Sequence, residues 1–204
     1  MRHPARVHVQ DHGFLVTDRD VDTVFGTMDY STGLAGVMAS AALLYAGIDR
    51  GHVLVTAEPF DERPALETGT RWNELDSWED VAEVSLYVPN GHLTVEELEQ
   101  PPEHERVSLP MLSIQGPGHY RLRIHASGRD RHYDQVLDQS DERFHLIAWP
   151  EPPAPPLIIK AGSRCGYGLR LAPLPLAPPP PEVTQDEDAE AKRQAMQLRN
   201  LLDG

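Results

Sequence analysis

The sequence predicts an all-β fold: an antiparallel β-sandwich or jelly roll of about eight to ten short strands, with one helix appended at its C-terminus. Three observations predict it. Residues Tyr120–Ser127 alternate strictly, with Tyr120, Leu122, Ile124 and Ala126 on one side and Arg121, Arg123, His125 and Ser127 on the other. That is the period of a strand with one face on a core. Runs rich in β-branched residues recur between Gly, Pro, Asn and Asp turn signals. The one segment with clear helical periodicity lies beyond a proline-rich stretch near the C-terminus.

The elements follow in order. Arg6–Gln10 and Phe14–Thr17 read as short strands around an Asp11-His12-Gly13 turn, and Asp18–Thr32 as a polar loop. The Ala and Leu content of Leu34–Ile48 suits a helix. Strands are preferred, one ending before Ser40 and one over Ala41–Ala46, because His52–Ala57 looks like a hairpin partner across Asp49-Arg50-Gly51. Pro59–Asp76 is a long polar connection. Val81–Val88 is a strand, Pro89-Asn90-Gly91 a turn and His92–Leu98 its return strand. Val107–Ile114 is a strand that Pro110 confines to an edge or bulge. Tyr120–Ser127 follows, expected to turn its arginines outward. A polar loop over Gly128–Glu142 leads to Phe144–Trp149, its antiparallel partner, and Leu157–Lys160 is a last core strand. No helix is expected inside this domain.

The β domain is thus assigned to residues 1–171. Residues 172–183 form a proline-rich linker close to polyproline II. In 184–204, Thr184 and Glu187 make a capping box, and Ala191, Ala195, Leu198 and Leu202 an apolar stripe. A helix of that length is marginal alone, which makes it a candidate for self-association into a homo-oligomer.

Charge narrows the function classes. The chain carries 32 acids against 18 lysines and arginines, a net charge of −14. Most of it lies in Glu58–Glu105, where fourteen acids face only Arg63 and Arg71. Direct contact with nucleic-acid phosphates is disfavoured, and encounter with a basic protein is favoured. The partner surface is therefore sought at Glu58, Asp61, Glu62, Glu74, Asp76, Glu79 and Asp80, with Trp72 and Trp78 as aromatic anchors if they are not core residues. There is no apolar signal core and no apolar run of about 20 residues, so the chain reads as soluble, cytoplasmic and without a membrane partner. A lone Cys165 fits a reducing compartment and reads as a packed small hydrophobe.

No nucleophile elbow, phosphate loop or Cys-x-x-Cys pair occurs. The sequence thus points to a non-enzymatic protein with no metal and no cofactor. Arg121 and Arg123 have two readings. They pair across the sheet with Glu83 or the acids near Glu96, or they form an anion site. In the second reading Arg121, Arg123, His125 and Trp149 would line a small-ligand or carbohydrate-binding face.

The run G-P-G-H-Y-R-L-R-I-H-A-S-G-R-D at 116–130, with F-H-L-I-A-W-P-E-P-P at 144–153, resembles a group of actinobacterial β-proteins. They share a Y-R-[LV]-R-[VI]-H-A-x-G-R-D core and a final W-P strand. At greater distance residues 6–160 resemble the competence protein J family of small β-proteins that inhibit a partner nuclease. The resemblance implies a β-protein that acts by binding a nuclease or another basic protein, and carries no catalytic residues across.

Overall fold

A computed structural model describes residues 4–66, 75–99 and 108–171. Trp72, Glu74, the linker expected at 172–183 and the helix expected at 184–204 lie outside the described residues. The elements are β1 (Ala5–Val9), β2 (Gly13–Thr17), β3 (Ala35–Val37), β4 (Ala41–Tyr45), β5 (Arg50–Pro59), β6 (Asp80–Val88), β7 (Thr94–Glu96), β8 (Gly118–Ser127), β9 (Val136–Pro150), β10 (Leu157–Ala161) and α1 (Arg164–Leu171). They form a six-stranded sheet in the order β1-β5-β9-β8-β6-β10 and a four-stranded sheet in the order β3-β4-β2-β7.

The fold is β-rich with two sheets, as expected, but it is not purely antiparallel: β5 and β9, the second and third strands of the larger sheet, pair in parallel. The inner faces of both sheets enclose one core, into which β8 puts Tyr120, Leu122, Ile124 and Ala126. Phe14 from the smaller sheet meets Phe144 from the larger one edge to face, with centroids 5.1 Å apart.

Turn signals mark where the chain reverses, but not which sheet it enters. Gln10 and Gly13 exchange two backbone hydrogen bonds, and Asp11 and His12 adopt positive φ, so the first turn forms as expected. Its strands nevertheless part, β1 to the larger sheet and β2 to the smaller. The expected hairpin between β4 and β5 is likewise a crossover between sheets. The Glu142 carboxylate pins it by accepting the N–H groups of Gly47 and Ile48, each at 2.9 Å. Gly47 is required there: a Cβ would fall 1.7 Å from the Arg129 carbonyl oxygen. The expected return strand after β6 shortens to β7 and pairs with β2. Within the described part of the expected strand at 107–114 there is no strand, consistent with the N–H that Pro110 lacks. Leu112 still docks in the core through its N–H to the Leu93 carbonyl.

The C-terminal part differs in two ways. β10 is an edge strand on β6, with Leu157 and Ile158 exposed, rather than a core strand. A short helix, α1, lies within the domain. Asp130 accepts the N–H groups of Arg164 and Cys165, each at 2.8 Å, and the Ser163 hydroxyl accepts that of Gly166. These side chains satisfy the orphan donors of its first turn. Among the described residues no helix is long and apolar enough to cross a membrane.

Candidate functional site

The outer face of the larger sheet carries most of the side chains singled out by sequence. Register places Glu83 opposite Arg123 and Ser85 opposite Arg121. Glu83 accepts Arg123 Nε at 2.8 Å, Arg121 Nε at 3.5 Å and Arg63 Nη2 at 3.0 Å. The cross-strand pairing expected for these arginines therefore forms. The outward exposure expected for them does not: Arg121 is 4% exposed and Arg123 2%. Irregular chain covers them and supplies carbonyl acceptors. Arg121 donates to the carbonyls of Ala154 and Pro155, and Arg123 to that of Pro64. The Arg123 guanidinium also lies 5.1 Å from the Trp149 ring centroid. Burial draws the Arg123 pKa down, and Glu83 works against that shift.

Beside this cluster, His125 and His145 face each other across β8 and β9, with ring centroids 5.2 Å apart. Trp78 stacks on His145, and the Arg143 guanidinium lies over the Trp78 ring. His125 Nδ1 donates to the His145 carbonyl at 3.0 Å, which leaves the Nε2 lone pair free of the ring proton. Burial pushes the His125 pKa down to about 3, and His145 adds to the shift. The ring is neutral at physiological pH. Trp78 is 1% exposed, so it is a core residue of this stack and not a surface anchor.

A cleft of about 260 Å³ opens over the pair, lined by Glu58, Phe60, Pro64, Leu75, His145 and Ile147, with Arg123 and His125 at its floor. Asp61 and Glu62 on one approach and Asp76 on another are exposed, and Glu58 is half-buried. Among the described residues none of these four carboxylates is ion-paired. Arg121 and Arg123 are buried beneath this face, whereas Arg63 and the carboxylates of Asp61, Glu62 and Asp76 are exposed on it.

The remaining sequence candidates have structural work. Glu79 accepts the Gly128 N–H at 2.8 Å. Asp80, 2% exposed, is corrected from partner surface to interior: Arg129 Nη2 meets it at 2.6 Å, and the N–H groups of Gly162 and Ser163 complete its shell. Arg129, fully buried, also donates to the carbonyls of Gly33 and Tyr45 and to the Ser163 hydroxyl. The Gly128-Arg129-Asp130 motif is thus a latch: Arg129 joins both sheets to the start of α1, and Asp130 caps that helix. Burial pushes the Cys165 thiol up to about 11, so it is protonated at neutral pH, in keeping with a packed small hydrophobe.

The meeting of His125 and His145 follows from pairing their strands; sequence reasoning missed Phe60 and Ile147 as cleft residues. It also missed the convergence of His12, Asp49 and Asp134, which come from three separate reversals. His8 and His12 are four apart, a spacing that on a helix would align two imidazoles. On β1 and its turn they part, and the His8 ring packs edge-on against His52.

No family model matches the chain, and no curated protein matches it. A solved structure described as crocagin biosynthetic gene J is similar at 19% identity with a TM-score of 0.42, over 74% of this chain and all of its own. That likeness is too low to carry an argument about function, and the resemblance to nuclease inhibitors draws no support from it.

Proposed function

We propose that this protein is a non-enzymatic binding module that captures a partner presenting basic side chains, in the manner of an acidic inhibitor of a nuclease or other cationic protein. One observation carries the reading. Arg63, Arg121 and Arg123 all turn onto the single carboxylate of Glu83, while among the described residues Glu58, Asp61, Glu62 and Asp76 have no ion-pair partner. The field this face presents to solvent is therefore negative, and complementary potentials steer a cationic partner to it. In the alternative reading, a small-ligand or carbohydrate face built on Arg121, Arg123, His125 and Trp149, Arg121 is already engaged by Glu83, Ser85, Ala154 and Pro155, which leaves Arg123 and His125 as the members of that set lining the cleft.

The test is capture from the source lysate at low and high salt, with the native chain and an Asp61→Asn, Glu62→Gln, Asp76→Asn variant. The expected result is a basic protein retained by the native chain at low salt and lost both at high salt and from the variant. Equal retention by the variant would overturn this surface as the binding face.

A further inference from the structure

Three reversals of the chain meet away from the cleft: the β1–β2 turn, the β4–β5 crossover and the β8–β9 loop. Backbone hydrogen bonds lock them together. His12 N–H donates to the Asp49 carbonyl at 3.0 Å, Asp49 N–H to that of Gln135 at 3.0 Å, and Asp134 N–H to that of Gly47 at 2.9 Å. As a result one donor atom each from His12, Asp49 and Asp134 lies within 4.8 Å of the other two.

The spacing has the scale of a coordination shell. His12 Nε2 is 3.4 Å from Asp134 Oδ1 and 4.0 Å from Asp49 Oδ1. A tetrahedral ion with bonds of about 2.0–2.2 Å sets its donors roughly 3.3–3.6 Å apart. The His12–Asp134 contact already fits, the His12–Asp49 contact needs to close by a few tenths of an ångström, and the two carboxylates, within 4.8 Å of each other, draw together around the ion. Neither aspartate pairs with a lysine or arginine among the described residues, so two like charges are held near each other with only a histidine between them.

The histidine is held in place, while the Asp49 and Asp134 side chains are 36% and 73% exposed. The His12 ring stacks on Tyr45 at 4.9 Å and 7°, and on Tyr133 at 5.7 Å. His12 and Asp134 hold left-handed backbone, φ 63° and 61°. For histidine that conformation is strained, and such strain persists where the surroundings over-determine it. His12 Nδ1 is buried without a partner, and so is Gln10 Oε1 two residues earlier on the same turn. When Nε2 binds a cation the ring proton sits on Nδ1.

We propose that His12 Nε2 and the carboxylates of Asp49 and Asp134 bind one divalent transition ion of the zinc type, with solvent in the fourth position. This departs from the metal-free expectation of the sequence. One imidazole and two carboxylates suit such an ion; calcium prefers six to eight oxygens and magnesium an octahedral oxygen shell.

Cobalt(II) and zinc are the probes. The full chain is stripped with a chelator and titrated with each, alongside an Asp49→Asn, Asp134→Asn variant that keeps side-chain size and tolerates the left-handed backbone. The expected result is one ion per chain, four-coordinate cobalt absorption bands, and affinity at least tenfold above that of the variant. Equal affinity in the variant would assign the ion to the other histidines and overturn the site, as would no binding by the folded native chain. Should the double variant fail to fold, Asp49→Asn alone is read by the same bands and must lose them.

Discussion

Arg129 Nη2 meets Asp80 Oδ2 at 2.6 Å, with the two side chains 0% and 2% exposed. The contact is the centre of the latch joining both sheets to α1. Removing one partner of a buried pair strands the other without compensation. Arg129→Met is expected to cost about 3–5 kcal/mol, read as a fall in the urea midpoint. A midpoint within experimental error of the native protein's would refute the latch.

The same pair sets an acid limit. Burial alone would raise Asp80, but the Arg129 guanidinium and the Ser163 donors outweigh it and hold the carboxyl below the usual range. Its ionised form therefore contributes stability that is full above the unfolded pKa, about 3.9, and is lost as pH falls through the lower folded value. Asp80→Asn should be less stable at neutral pH and lose less on acidification. Urea midpoints at several acidic pH values check this, and parallel profiles would contradict it.

Glu83 is expected to be worth more than any one of its arginines. Glu83→Gln leaves Arg121 and Arg123 buried without their counter-charge and should destabilise by about 3 kcal/mol or more. Arg63, with its side chain 48% exposed, is screened, and Arg63→Ala should cost under about 1 kcal/mol. Chemical denaturation of both variants checks the order. Equal losses would show that the cluster is not organised around the carboxylate.

His125 should make the protein sensitive to mild acid. Its folded pKa is pushed from 6.5 to about 3, so the unfolded chain takes up a proton that the native state refuses. Stability is full above 6.5 and falls as pH drops between those two values, by up to about 1.4 kcal/mol per unit. His125→Asn removes this slope. Unfolding free energies at pH 7, 6 and 5 for both proteins test it, and an unchanged slope would place the titration elsewhere.

The legible and illegible parts of this chain differ for physical reasons. β8 could be read because its alternation is strict, and the Arg123–Glu83 pairing because opposite charges fall on neighbouring strands. The burial of those arginines could not. Periodicity separates two faces, but the cover here comes from irregular chain offering carbonyls, which any residue carries. The turns at Asp49-Arg50-Gly51 and Pro89-Asn90-Gly91 were visible as reversals, yet nothing local tells whether the next strand stays in the same sheet. α1 was hidden by Gly166 and Gly168, poor helix formers. It depends on Asp130 and Ser163, whose capping is a tertiary contact. Trp78 could have been surface or core by composition, and only its stack on His145 decides it.

The parallel pairing of β5 with β9 bears on how the protein is made. β5 ends at Pro59 and its neighbour begins at Val136, so a nascent chain exposes one flank of β5 for roughly 4–15 s at translation rates of about 5–20 residues per second. Through that interval the ribosome-bound chain carries an apolar ribbon with an open side. A pause in synthesis between those two strands lengthens that wait and is expected to raise misfolding.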